Sequence, residues 1–127
     1  MFIMEQTPLV KESFHDTLKK KADLFGYSVY RATKNFPKEE VYGLTSQLRR
    51  AALSVVLNYI EGYARNGEKQ YSHFLQISYG SLKEAKYLIF FASREGYMDE
   101  EKYRELTDLA EELGAMLWKT QKGIREK

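Results

Sequence analysis

The sequence contains no cysteine. Disulfides, thiolate metal sites and a cysteine nucleophile are therefore excluded. Histidine is nearly as scarce, with only His15 and His73. A di-iron bundle needs a Glu-x-x-His pair on each of two helices, and the sequence does not supply two. There is no His-Glu-x-x-His motif, and Gly62 and Gly67 are isolated glycines without the lysine of a phosphate-binding loop. Neither histidine has a triad partner at recognisable spacing, so both read as surface residues. The longest mostly apolar stretch, Ala51 to Ile60, is far too short to span a bilayer. The first residues, Met1 to Glu5, lack the basic-then-apolar order of a signal peptide. The expectation is a cytoplasmic chain with no membrane association, no cofactor, no metal and no enzymatic activity.

Two prolines, Pro8 and Pro37, and eight glycines leave long segments uninterrupted, and these carry one repeated signal. Apolar or small residues recur at 4-3-4-3 spacing four times. The sets are Leu18, Ala22, Phe25, Val29, Ala32, Phe36; Leu44, Leu48, Ala51, Val55, Asn58, Gly62; Phe74, Ser78, Ser81, Ala85, Leu88, Ala92; and Tyr103, Leu106, Ala110, Leu113, Leu117, Thr120, Ile124. This period is what helices packed at a shallow angle require. At 127 residues and 43% hydrophobic composition, the chain can bury one core. The spacing predicts an all-α, antiparallel up-down-up-down four-helix bundle over residues 16–127, with residues 1–15 a loose tail. Asp16 is placed to cap the first helix and Pro37 to stop it. Asn66-Gly67 and Gly96 supply left-handed turns, and Asp99 caps the last helix with Met98 and Tyr103 as a staple.

The second helix has apolar residues off its seam: Leu53, Val56, Leu57, Tyr59, Ile60 and Tyr63. That is roughly twice the stripe of a little over 100° that a monomeric bundle can cover. A partner subunit is the simplest cover, so a homo-oligomer is expected. The polar residues of this helix lie on one narrow stripe. Among them Ser54, Asn58 and Glu61 could face Ser81 and Glu84 of the third helix. Two readings stand: a Glu61–Glu84 carboxylate pair for acid–base work or a metal, or a structural network of mutually satisfied groups. The second is preferred, because a metal recruits more ligands than two carboxylates.

Net charge is only +2, too small to announce a nucleic-acid binder. The basic residues that draw attention are Lys19, Lys20, Lys21, Arg49, Arg50 and Arg65. Repeated around an oligomer axis, such a set concentrates positive potential that one subunit lacks. In the last segment, Asp99 to Glu112 is acidic and Lys119 to Lys127 basic, which reads as helix-dipole complementation. Tyrosines and phenylalanines fall on or beside the core seams, so few are expected to be free for base stacking.

The stretch Phe36-Pro37-Lys38-Glu39-Glu40, followed by Gly43-Leu44-Thr45-Ser46-Gln47-Leu48-Arg49-Arg50-Ala51, resembles the bacterial four-helix-bundle family encoded in intervening sequences of 23S ribosomal RNA genes. The likeness continues through Ser54, Asn58, Glu61-Gly62, Gly80-Ser81 and Glu84, and covers roughly residues 16–124. The family is also similar to the accessory protein of diversity-generating retroelements, a basic bundle that binds nucleic acid and a reverse transcriptase. The resemblance implies a ring-shaped homopentamer without known catalytic activity and with a suspected role in binding RNA. Three positions depart from the family's pattern: Val56 replaces a frequent proline, Ile60 a small residue, and Lys19 a tryptophan. Losing the proline should straighten the second helix, and Ile60 adds bulk where subunits meet. Weak, sequence-independent RNA binding through Arg49 and Arg50 is the expected activity. The alternative is a structural scaffold whose oligomeric surface docks another protein.

Overall fold

The computed structural model describes residues 12–127, and residues 1–11 of the expected tail lie outside it. Four helices form: α1 (Phe14–Thr33), α2 (Leu44–Ala64), α3 (Glu68–Arg94) and α4 (Glu100–Arg125), with a 3₁₀ turn at Lys38–Glu40. Each helix packs on its neighbours in chain order, and α4 closes the ring against α1. The pairings Arg49–Thr33 and Tyr59–His15, Ser54–Ser81 and Ser78–Val55, Lys86–Glu111 and Lys127–Glu68 all run in opposite directions, so the topology is up-down-up-down.

The helix ends follow from local chemistry, with one correction. The α1 cap is Ser13, whose hydroxyl accepts the Asp16 N–H at 3.0 Å. Asp16 is instead a first-turn acid facing the positive helix end. Residues 13–15, expected in the tail, thus belong to the bundle. α1 stops at Thr33, and the chain tightens into i→i−3 bonds through Phe36 before Pro37. Glu40 bridges two elements: one carboxylate oxygen accepts from Leu44 N–H at 3.0 Å and the other from the Tyr97 hydroxyl at 3.0 Å. Gly67 (φ 96°) and Gly96 (φ 78°) take the left-handed conformations that β-carbons disfavour, and Asp99 accepts from Lys102 N–H at 2.8 Å.

The core contains all six predicted residues of α1, and Leu44, Leu48, Ala51, Val55 and Gly62 of α2. In α3 the predicted Ser78, Ala85, Leu88 and Ala92 are buried, and the buried face is wider than the predicted seam. Leu75, Leu82 and Ile89 are buried, whereas Phe74 and Ser81 are only half-buried. The reason lies at the α2–α3 contact. A β-carbon on Gly62 would stand 2.7 Å from Phe74 Cβ, closer than real carbon atoms approach. Ser78, fully buried, donates to the Val55 carbonyl at 2.7 Å. Small residues let the two backbones approach, which displaces large side chains to the flanks.

Gly62→Ala is accordingly expected to destabilise the bundle by about 1–3 kcal/mol, because neither main-chain segment can retreat from the added methyl. Thermal unfolding followed by circular dichroism checks this, with Gly80→Ala, which meets nothing within 4 Å, as the tolerated control.

Candidate functional site

The polar stripe of α2 resolves into separate parts. Ser54 Oγ and Ser81 Oγ lie 2.7 Å apart, and Asn58 Nδ2 donates to the Ser54 hydroxyl and carbonyl, both at 2.9 Å. These three residues form the network expected between α2 and α3. Glu61 and Glu84 do not join it. Glu61 accepts from Arg65 Nε at 2.7 Å on the exposed surface. Glu84 is exposed beside Gln47, Arg50 and Ala51. In the antiparallel register Glu61 lies level with Phe74, ten residues or about 15 Å along α3 from Glu84. No carboxylate dyad can form.

The six basic residues also do not converge. Arg49 Nε donates to Thr33 Oγ1 at 2.7 Å, and its guanidinium lies 4.4 Å from the Tyr30 ring centroid. It is a tie between α1 and α2. Lys20 pairs with Glu12 at 2.8 Å, Lys21 with Glu112 at 3.0 Å, and Arg65 with Glu61. Arg50 is exposed with a bond to Ser46 at 3.1 Å, and Lys19 is exposed beside Ile60. Arg50 and Arg65 stand about 22 Å apart along α2 by helical rise alone.

His15 is not a plain surface residue. Its Nδ1 is 2.6 Å from Tyr59 Oη, and its ring stacks on Tyr63 at 3.4 Å between centroids. Tyr59 is fully buried and also accepts from the Tyr71 hydroxyl at 3.5 Å. A neutral imidazole completes the chain Tyr71→Tyr59→His15. Burial lowers the His15 pKa from 6.5, with Lys19 lowering it further and Asp16 opposing. Burial also pushes the Tyr59 phenol far up. The sequence signal for this cluster was Tyr59 and Tyr63 one turn apart on α2, while Tyr71 on α3 and His15 on α1 gave no cue to join them.

The apolar surplus of α2 is smaller than the sequence suggests. Val56 and Tyr59 are buried and Leu53 is half-buried, because α1 covers one flank while α3 covers the other. Leu57 (60% exposed) and Ile60 (41%) remain outward, with Tyr63 and Ala64 beyond them. Leu53, Leu57, Ile60 and Ala64 form a second 4-3-4 stripe, of which Leu53 packs against α1 while Leu57, Ile60 and Ala64 are exposed among the described residues. The aromatic residues also depart from expectation. Tyr42, Tyr87, Phe90, Phe91 and Trp118 are all exposed, since a position beside a seam on a narrow bundle is already at the surface.

The contacts define a class: an antiparallel four-helix bundle whose polar side chains tie helices together and whose α2 keeps an uncovered apolar stripe. The chain matches the 23S rRNA-intervening sequence protein family over residues 16–119, and it belongs to that family. Its fold is similar to a crystal structure of a protein of unknown function from the S23 ribosomal protein family of Bacteroides thetaiotaomicron. The two share 17% identity with a TM-score of 0.80, covering 87% of this chain and 99% of the other. No curated protein matches the sequence. Among the described residues no helix is long and apolar enough to cross a membrane.

Two measurements follow from this geometry. Arg49→Ala removes the donor to buried Thr33 and should cost about 1–2 kcal/mol, whereas Arg50→Ala should stay within about 0.5 kcal/mol in urea unfolding. Because the folded state holds the His15 pKa below 6.5, the unfolded chain takes up the proton first as pH falls. Stability from this group is full above about pH 6.5 and declines below it. Melting temperatures compared at about pH 7.5 and 5.5 should fall for the wild type, and fall less for His15→Gln.

Proposed function

We propose that the chain is a non-enzymatic, self-associating accessory protein of the cytoplasm that binds RNA weakly and without sequence preference. The observation that carries self-association is the stripe Leu53, Leu57, Ile60 and Ala64. Its 4-3-4 spacing is that of a helix-packing seam, and Leu57 and Ile60 are the two strongly exposed members in its middle. The homopentamer is the assembly implied by the family. RNA as partner rests on the same membership, and on cations that a ring would repeat around its axis. A second reading, a scaffold that docks another protein, is favoured by the exposed aromatics Tyr87, Phe90 and Phe91 near the end of α3 and by Tyr42, 95% exposed.

Native mass spectrometry is expected to give five times the 14.9 kDa subunit mass. Leu57→Asp combined with Ile60→Asp should give the single-subunit mass with helical circular dichroism retained. A wild-type monomer at micromolar concentration overturns the reading. Fluorescence anisotropy with a labelled single-stranded RNA should show binding at low salt, weakening by about 0.7 log units per log unit of salt for each phosphate neutralised. No binding at low salt gives the lead to the scaffold.

A further inference from the structure

The groove between α3 and α4 brings together, above residues of the core, aromatic and charged side chains that the assembly stripe does not use. Its floor is made of Leu82, Ala110 and Gly114. A β-carbon on Gly114 would meet Leu82 Cδ2 at 3.4 Å, so the two helices lie close here and the larger side chains stand up as walls. On one side is Tyr79 and on the other Trp118, with ring centroids 6.1 Å apart and planes tilted by 43°. Trp118 is the sole tryptophan of the chain and is 48% exposed. A cation sits at each ring: Lys83 Nζ is 5.1 Å from the Tyr79 centroid, and Arg125 Cζ is 5.3 Å from that of Trp118.

The charge of this strip is mainly positive. Lys86 lines it while paired with Glu111, and Lys122 lies one turn beyond Trp118 on an exposed position. Helix-dipole complementation accounts for Lys122 and Arg125 in the last turns of α4. It does not account for Lys83 or Lys86, which lie in the middle of α3. The acidic half of α4 is mostly towards the other end of the bundle, and Glu111 is the one carboxylate among the groove's lining residues. Aromatic faces flanked by cations, above a floor that Ala110 and Gly114 keep low beside Leu82, match an unpaired base with phosphates on either side. A paired duplex would present phosphates alone and leave both rings unused.

We propose that this α3–α4 groove is where single-stranded RNA is held, with a base stacked on Trp118 and the flanking phosphates facing Lys83 and Arg125. The proposal rests on the RNA reading above but places the contact on a different face from Arg49 and Arg50. RNA seated in the groove exchanges the water around the indole for a nucleobase, so the intrinsic fluorescence of Trp118 reports occupancy directly.

The experiment titrates the full chain at low salt with a short unstructured RNA, following both tryptophan fluorescence and the anisotropy of the labelled RNA. Quenching and anisotropy are expected to saturate together. Lys83→Glu with Arg125→Glu should weaken binding by about tenfold or more and lower its salt dependence, through loss of two phosphate contacts, while keeping wild-type melting and subunit mass. Trp118→Leu should weaken binding by a similar factor through loss of the stacked base, whereas Arg49→Ala with Arg50→Ala should keep the quenching. Anisotropy that rises without quenching, or that survives both groove variants, overturns the groove and leaves the RNA reading standing. Equal quenching by a mononucleotide or a poly-glutamate peptide overturns the assignment to an RNA strand. No anisotropy change at any salt concentration overturns the groove and the RNA reading together.

Discussion

Gly62 lets α2 lie against Phe74 with no side chain between the two backbones, and the contact continues through Val55–Ser78 and Ser54–Ser81. Much of the remaining arrangement depends on this approach. Further along this contact small groups line the interface, and its hydroxyls and amide pair with one another or with the main chain. The hydroxyls and the Asn58 amide satisfy one another, and among the described residues no fully buried side-chain nitrogen or oxygen lacks a partner. The large residues displaced from α3, namely Leu75, Leu82 and Ile89, turn towards α4 and fill the core there.

The same approach sets what α2 offers to the outside. With α3 tight on one flank and α1 on the other, the remaining face is narrow. It carries Leu57 and Ile60 rather than the whole apolar surplus. The cluster of His15, Tyr59, Tyr63 and Tyr71 closes one end of the α1–α2 contact, and Arg49 on Thr33 and Tyr30 closes the other. Charge used in this way is structural, and it reduces what the basic residues of α1 and α2 can offer a polyanion.

A number of the cations on this surface are placed over its own aromatic rings. Seven Lys or Arg groups lie within 6 Å of a ring centroid among the described residues, far above the usual frequency of about one per 70–80 residues. That density makes the pairing a feature of the surface as a whole, so a single pair marks no site. What distinguishes the α3–α4 groove is that two such pairs meet over one floor, made of Leu82, Ala110 and Gly114.

The sequence alone determined the helices, their order and most of the buried set, because a 3.6-residue period with glycine and proline punctuation is a local code. It also placed Ser54, Asn58 and Ser81 together, since antiparallel neighbours with short links have a calculable register. Membership of the family was legible in the stretch from Phe36 to Ala51. Tertiary structure decided whatever depends on the angle at which one helix faces two others. It moved Glu61 and Glu84 apart, widened the buried face of α3 to Leu75, Leu82 and Ile89, and drew His15 onto Tyr59. It also committed Arg49 to Thr33 and left Trp118 half in water. A helical wheel gives each residue a direction but not a neighbour, and hydrogen bonds, burial and charge pairing are properties of neighbours.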